Sequence, residues 1–505
     1  MSLLVSQLFA KTYGGANIDR TPAVVVQTSD GGYALLGDSY SFGSGERDLL
    51  LLKLSPSGDL EWARTFGEAN IDEPFSMVQT TDGGYALAGV SWSYGAGNAD
   101  ALILRLNPSG GLTWARTFGG ATNLDDACSI IQTSDGGFAV AGGTESFGAG
   151  GRDFFVLKLD NTGSLTWAKT FGGAESEEAR SIVQTPDGGY AIAGSTGNVQ
   201  DILVLRLDAS GNLTWARVLG GASQDLAYAI VQTTDGGYAV AGCTYSFGAG
   251  QNDFLVIKLD ASGSLLWAKT FGGVNRDYLT AALTGTADGG CAVAGYTQNF
   301  GAGGYDVLVL KIDASGNLTW ARTFGGTGLE SAYSMIQTSD GGYAITGETE
   351  SFGAGGSDLF VLRLSADGSY PDCVANCSPT VMNPTLNISS PFLGANCTPT
   401  ITSPSPTITT PAPTITDVCT PLHIEESDPC RPDLDITCSP VPGGALFIAS
   451  ADLPLRIYAA DGRLIYSGTL QKGQNRITLD RGVYLYSVDL RFWQAGEHTG
   501  KVVIR

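Results

Sequence analysis

Histidine is missing from the first 422 of this chain's 505 residues; the two present are His423 and His498. That removes Ser-His-Asp and Cys-His catalysis from this region, and with them any His-rich metal site. Basic residues are scarce too, 28 Lys and Arg against 50 Asp and Glu, for a net charge of −22. Nucleic acids and anionic membranes are held by basic patches, so neither is expected as a partner. No apolar run approaches membrane-spanning length, and no stretch keeps a helical period. The opening MSLLVSQLFA has no basic region, long apolar core or following small-residue cleavage site, so it does not read as a secretory signal. Only three cysteines precede residue 370. Cys128, Cys243 and Cys291 stand singly where other repeats carry Ser, Ala, Gly or Tyr, and they read as buried free thiols.

Glycine, by contrast, is abundant (70 residues) and falls at fixed turn positions rather than at every third residue. A DGG triplet begins at Asp30, Asp82, Asp135, Asp187, Asp235, Asp288 and Asp340, with spacings of 52, 53, 52, 48, 53 and 52. Such a period indicates a repeat architecture. Each unit, as in Gln184 to Leu219, contains short strand-like runs separated by turn residues. Asp-Gly and Gly-Gly supply the positive φ of hairpin turns. The run Asp153 to Leu159 is nearly all apolar, which fits a strand covered on both faces. Four such strands per unit predict one propeller blade, so the chain reads as all-β with a seven-bladed β-propeller over 1–369.

The ends of the array test this reading. Trp62, Trp114, Trp167, Trp215, Trp267 and Trp320 mark the fourth strand of six repeats, whereas the seventh breaks off after Asp367-Gly368. Near the amino terminus, Phe9-Ala10-Lys11-Thr12-Tyr13-Gly14-Gly15 aligns with Trp167-Ala168-Lys169-Thr170-Phe171-Gly172-Gly173. Residues 3–12 are therefore expected to complete blade seven, with Leu8 and Phe9 as the buried anchors of ring closure. Two repeats depart from the pattern. Repeat four shortens its glycine loop, and repeat six has Gly285 and Cys291 in place of Gln and Tyr.

The glycine-and-aromatic pattern resembles kelch blades, and more closely the glycine-rich propeller repeats of secreted bacterial and archaeal proteins. The hairpin Asp208 to Trp215 is distantly similar to the Asp-box of sialidase propellers, a folding element that implies no sialidase activity.

Carboxylates are plentiful, but they recur. Asp48, Asp100, Asp153, Asp201, Asp253, Asp306 and Asp358 precede the third strand of each repeat. A catalytic pair would break the symmetry; a sevenfold carboxylate is expected to cap loop N–H groups. A second set, including Asp19, Asp72, Asp125, Asp225, Asp277 and Glu330, precedes the first strand and would offer oxygen ligands to calcium if it gathered at one rim. No other cofactor and no catalytic residue is indicated.

Composition changes after residue 370. Cys373, Cys377, Cys397, Cys419, Cys430 and Cys438 crowd into a Pro- and Thr-rich stretch. Disulfides and an oxidising compartment are favoured over zinc, because paired CxxC spacing is absent. Residues 370–442 read as an extended linker, though Thr-Ile-Thr runs in it are able to pair with a strand edge. Residues 443–505 alternate like a small β-sandwich. With Gly482-Val483-Tyr484 and Lys501-Val502-Val503-Ile504, this part resembles the sorting domain of type IX secretion cargo, which implies export and surface attachment or release. The leading expectation is a non-enzymatic, secreted or cell-surface propeller that binds a surface glycan or protein. The alternatives are a subunit of an extracellular assembly of its own copies, and an acid-pair polysaccharide hydrolase or lyase.

Overall fold

The computed structural model describes residues 8–370, apart from Gly45, Thr122, Asn198, Val199, Ala354 and Gly355, and beyond 370 only the strands named below. The described residues contain strands and no helix. Blade four shows how a repeat folds: Glu177–Gln184, Tyr190–Thr196, Asp201–Leu207 and Leu213–Gly220 pair in sequence order, each antiparallel to the next. The DGG triplet makes the first turn. Its first glycine takes φ of +81° to +86° in all seven blades, which side chains oppose. The second is needed for space: a Cβ there would come within 2.2–2.4 Å of a carbonyl of the third strand, Leu54 O in blade one. The triplet's aspartate is tethered by an ion pair that runs through the whole ring. Lys53, Arg105, Lys158, Arg206, Lys258, Lys311 and Arg363, all buried on third strands, reach Asp30, Asp82, Asp135, Asp187, Asp235, Asp288 and Asp340 at 2.5–2.9 Å.

Seven blades surround an axis, with neighbouring first strands in contact. The core lies between blades, in clusters that each draw residues from two successive sheets. The seams share one aromatic device. The fourth-strand Trp of one blade meets the Tyr or Phe after the next blade's DGG edge to face, as Trp167 does Tyr190, with centroids 5.5–6.0 Å apart and planes at 67–76°. Trp114 also packs on Gly163 (φ +79°), where a Cβ would sit 3.0 Å from the indole. One seam lacks the pair: Cys291 replaces the partner of Trp267, whose Nε1 instead donates to Ala314 O at 3.2 Å.

Ring closure uses the amino terminus. Ala10–Gly14 is the fourth strand of blade seven, with Ala10 opposite Leu362 and Tyr13 opposite Leu359. Phe9 takes the place of the missing tryptophan: it is buried, meets Tyr33 at 5.6 Å and 69°, and packs on Gly58 as the indoles pack on their own turn glycines. Its carbonyl accepts from Arg363 N at 2.8 Å. Leu8 is half-buried, Phe9 and Tyr13 are buried, and among the described residues the strand runs Ala10–Gly14. The repeat's strand register is fixed by the Thr-Phe/Tyr-Gly end, which places the paired residues at 10–14. Residues 3–7 lie outside the described residues.

Each blade has a fifth strand that the linker reading did not assign. Seven short strands of 375–417 cap the outer edges in reverse blade order: Ala375–Asn376 on blade six, Thr380–Met382 on five, Asn387–Ser389 on four and Gly394–Asn396 on three. Thr400–Thr402 then caps blade two, Thr407–Thr409 blade one, and Thr414–Asp417 the closing strand of blade seven. All are antiparallel, with Ile401 opposite Phe118, Ile408 opposite Phe66 and Ile415 opposite Tyr13. β-Branched Thr and Ile favour the strand state, and no proline falls inside any of the seven, where it would remove a donor. The stretch 375–417 is thus a belt on the propeller rather than a spacer. Compact units divide between Cys419 and Thr420, not at 369/370 and 442/443.

The second unit has two sheets. One orders Ile436–Val441, Gly444–Ala449 and Gly473–Thr478; the other orders Leu464–Leu470, Leu453–Ala459, Gly482–Asp489 and Glu497–Ile504. Of the six cysteines proposed for disulfides, Cys373, Cys377, Cys397, Cys419 and Cys430 lie outside the described residues, and Cys438 falls in Ile436–Val441.

Candidate functional site

First strands start, second strands end and third strands start at the same end of every blade, so the glycine loops form one rim. Both sevenfold carboxylate sets lie there, buried except for the half-buried Asp201. Members of the third-strand set cap loop N–H groups: Asp100 accepts from Ala96 N at 2.9 Å and Gly97 N at 3.1 Å, and Asp153 from Ala149 N at 3.0 Å. The first-strand set ties the next loop, as where Asp125 accepts from Gly120 N at 2.8 Å and Ser146 Oγ at 2.6 Å. Burial pushes the Asp153 and Asp253 carboxyls up to about 6; the neighbouring Glu177 and Asp277 charges add to this, against loop N–H groups that lower it. These residues frame the rim and repeat around it.

What does not repeat is the inner wall. In first strands buried and half-buried positions alternate, and a bulge interrupts the pairing three residues after the acid. The bulge frees that residue from the ladder and re-aims it. The positions so re-aimed, all half-buried, are Phe75, Arg180, Tyr228 and Tyr333 in blades two, four, five and seven.

On blades three and four the wall is ionic. Arg152 pairs with Asp126 and lies 3.6 Å from Glu178, while Arg180 holds Glu178 at 2.7 Å. Asp126 also accepts from Gly143 N at 2.8 Å, and the Cys128 thiol donates to it at 3.5 Å. Burial pushes that thiol well up, so it stays protonated. Asp126, Cys128 and Glu178 bring three ligand atoms within 4.8 Å of one another, but the two guanidiniums already supply the countercharge a cation would bring.

On blades five and six the wall is aromatic. Arg180 stands 6.0 Å over the Tyr228 ring, and Tyr228 and Tyr278 share a hydroxyl–hydroxyl bond. Tyr278 stacks on Tyr296 at 5.5 Å, and Tyr296 meets Tyr305 edge to face at 5.1 Å. Cys243 is buried beside them, its thiol pushed up to about 12 by burial. Three aromatics stand open at the rim just after second strands, Tyr40, Trp92 and Tyr245, each 40% exposed.

Cys128, Cys243 and Cys291 are buried free thiols, as the sequence indicates. The wall residues Asp126, Arg152, Glu178, Arg180, Tyr228 and Tyr278 were not singled out in the sequence. The available signal was variation in register: the third residue after the first-strand acid changes from Phe75 to Cys128, Arg180, Tyr228, Thr280 and Tyr333, while its surroundings hold constant.

A domain of unknown function described as a β-propeller, DUF5122, matches residues 233–265. No curated protein matches the chain. Among solved structures, the Neurospora crassa Pan2 WD40 domain is 12% identical, with 68% of this chain and 89% of that one covered and a TM-score of 0.41. A protein of unknown function from Dyadobacter fermentans is 12% identical over 71% and 98%, with a TM-score of 0.42. The exo-β-1,3-galactanase of Clostridium thermocellum is 14% identical over 71% and 87%, with a TM-score of 0.30. Likeness at this level carries no argument about activity or ligand.

Proposed function

We propose that this protein is a non-catalytic binding propeller of the cell surface or the secreted fraction, with the glycine-loop rim and its inner wall as the binding face for a glycan or a surface protein. The observation that carries this is a rigid sevenfold frame displaying unlike groups: open Tyr40, Trp92 and Tyr245 around a wall ionic on one side and tyrosine-lined on the other. Aromatics with an apolar body and a polar edge suit such contacts. A hydrolytic acid pair is disfavoured on the ionic part of the wall, because its carboxylates Asp126 and Glu178 are held by Arg152 and Arg180 rather than left to exchange protons. An assembly role through the Thr/Pro stretch is disfavoured too, since its strands pair with their own propeller. The Cys-rich stretch and the likeness of the tail to a sorting domain favour an extracellular site.

Arrays of glycans and surface proteins test this with the wild type, Trp92→Ala and Tyr245→Ala. A saturable ligand should appear and weaken about tenfold or more in the variants while their melting temperatures hold. Absence of any ligand, or cleavage of a polysaccharide panel, would overturn it.

A further inference from the structure

At four seams the rim frame sets two buried carboxylates from neighbouring blades against each other. The partners are Asp100 with Asp125, Asp153 with Glu177, Asp253 with Asp277, and Asp306 with Glu330, all at most 3% exposed. Each pair converges over the last glycine of a fourth strand. A Cβ on Gly119, Gly172, Gly272 or Gly325 would lie 1.7–2.0 Å from an oxygen of the third-strand aspartate and 2.6–2.9 Å from one of the facing acid. Among the described residues none of these eight carboxylates takes part in an ion pair with Lys or Arg.

The third seam adds an independent sign of a missing ligand. Asp253 Oδ2 is used by the loop, accepting from Gly250 N at 3.3 Å, but Asp253 Oδ1 is buried with no hydrogen-bond partner. It points over Gly272 toward Asp277, whose Oδ2 is taken by Gly273 N and Asn299 Nδ2, each at 2.6 Å. Two buried carboxylates without countercharge are strongly unfavourable, and an unmade bond on one of them is a cost natural structures seldom keep.

We propose that the Asp253–Asp277 seam binds calcium, one ion between its two carboxylates. All protein groups on offer are hard oxygens, which selects against soft metals. The site is buried and built from two blades, which suits calcium's irregular shell of protein oxygens better than magnesium, which keeps its waters. The ion would bridge blade to blade at the level of the loops and so set their spacing. The proposal is independent of what the rim binds.

The test uses the full chain, stripped with chelator and dialysed against calcium chloride at pH 7.5. About one ion per chain should be retained, and the melting temperature should rise by about 3 °C or more over the chelated protein, as expected of a ligand that binds only the folded state. Magnesium should give a much smaller shift. Asp253→Asn and, separately, Asp277→Asn should each abolish both the retained ion and the calcium-dependent melting shift; two variants guard against one failing to fold. Two results would overturn the proposal. One is no retained calcium and no calcium-dependent melting shift. The other is a melting temperature that rises from pH 7.5 to 5.5 yet ignores calcium, because the pairs would then be sharing protons.

Discussion

Blade seven is built from three separated parts of the chain: Glu330–Leu364 supplies three strands, Ala10–Gly14 the fourth and Thr414–Asp417 the fifth. The amino-terminal strand is thus paired on both sides, and Phe9 beside it plugs the seam to blade one. Phe9→Ala removes a buried ring, its edge-to-face contact with Tyr33 and its packing on Gly58. Large-to-small changes of this kind cost about 3–5 kcal/mol, a large share of a typical net stability of about 5–15 kcal/mol. For a propeller of this size that corresponds to a fall of about 4–6 °C in melting temperature. Deleting residues 1–14 should cost more, because it also removes Tyr13 and both backbone ladders, and it should expose the edge of Asp358–Leu364. The deletion variant should therefore elute partly as dimer or larger in size-exclusion chromatography. Phe9→Trp is the control: six seams already carry tryptophan at this point, so it should melt close to the wild type. If Phe9→Ala melted within about 1 °C of the wild type, the reasoning would fail, since the closing seam would then carry no load.

Two further outcomes are expected. A chain ending at Tyr370 loses the belt and bares seven strand edges, so it should self-associate with rising concentration where the full chain does not; a monodisperse product in light scattering would show that the edges need no cover. The turn aspartate Asp235 is held down to about 2, first by the Thr233 hydroxyl, then, against the opposing effect of burial, by Lys258 and the Gly237 N–H. Its stabilisation is present above the unfolded carboxylate value of about 4 and is lost as pH falls toward 2. The melting gap between wild type and Asp235→Asn should accordingly be open at pH 5 and close between pH 4 and 2, whereas a gap constant with pH would refute the assignment.

The blades were legible because the repeat is written over and over: seven DGG turns, seven apolar third strands and six tryptophans, recurring with period, leave few alternatives. Closure was legible for the same reason, since Phe9 to Gly15 copies a fourth strand. The belt was harder to see. Strands of two to four residues are too short to show alternation, and Thr/Pro composition reads as extended coil. Yet Thr400, Thr407 and Thr414 start strands seven residues apart, one step per blade, and that spacing was the available signal. The role of the DGG aspartates was hidden because their partners, such as Lys158, sit on an otherwise apolar strand 23 residues away. The inner wall was hidden for the opposite reason: repeats advertise what is constant, and Arg180, Tyr228 and Tyr278 are informative by being different.

The belt has a mechanical consequence. Because its strands follow one another around the ring, tension applied through the chain beyond residue 419 reaches Thr414–Asp417 first and loads the remaining caps only in turn. The first cap is the longest of the seven, and the strand it covers is the one that locks the ring. Pulling would therefore meet its stiffest resistance at the outset. Once that clasp slipped, the caps would peel blade by blade, in a sawtooth that lengthens the tether while the four-stranded blades beneath stay folded.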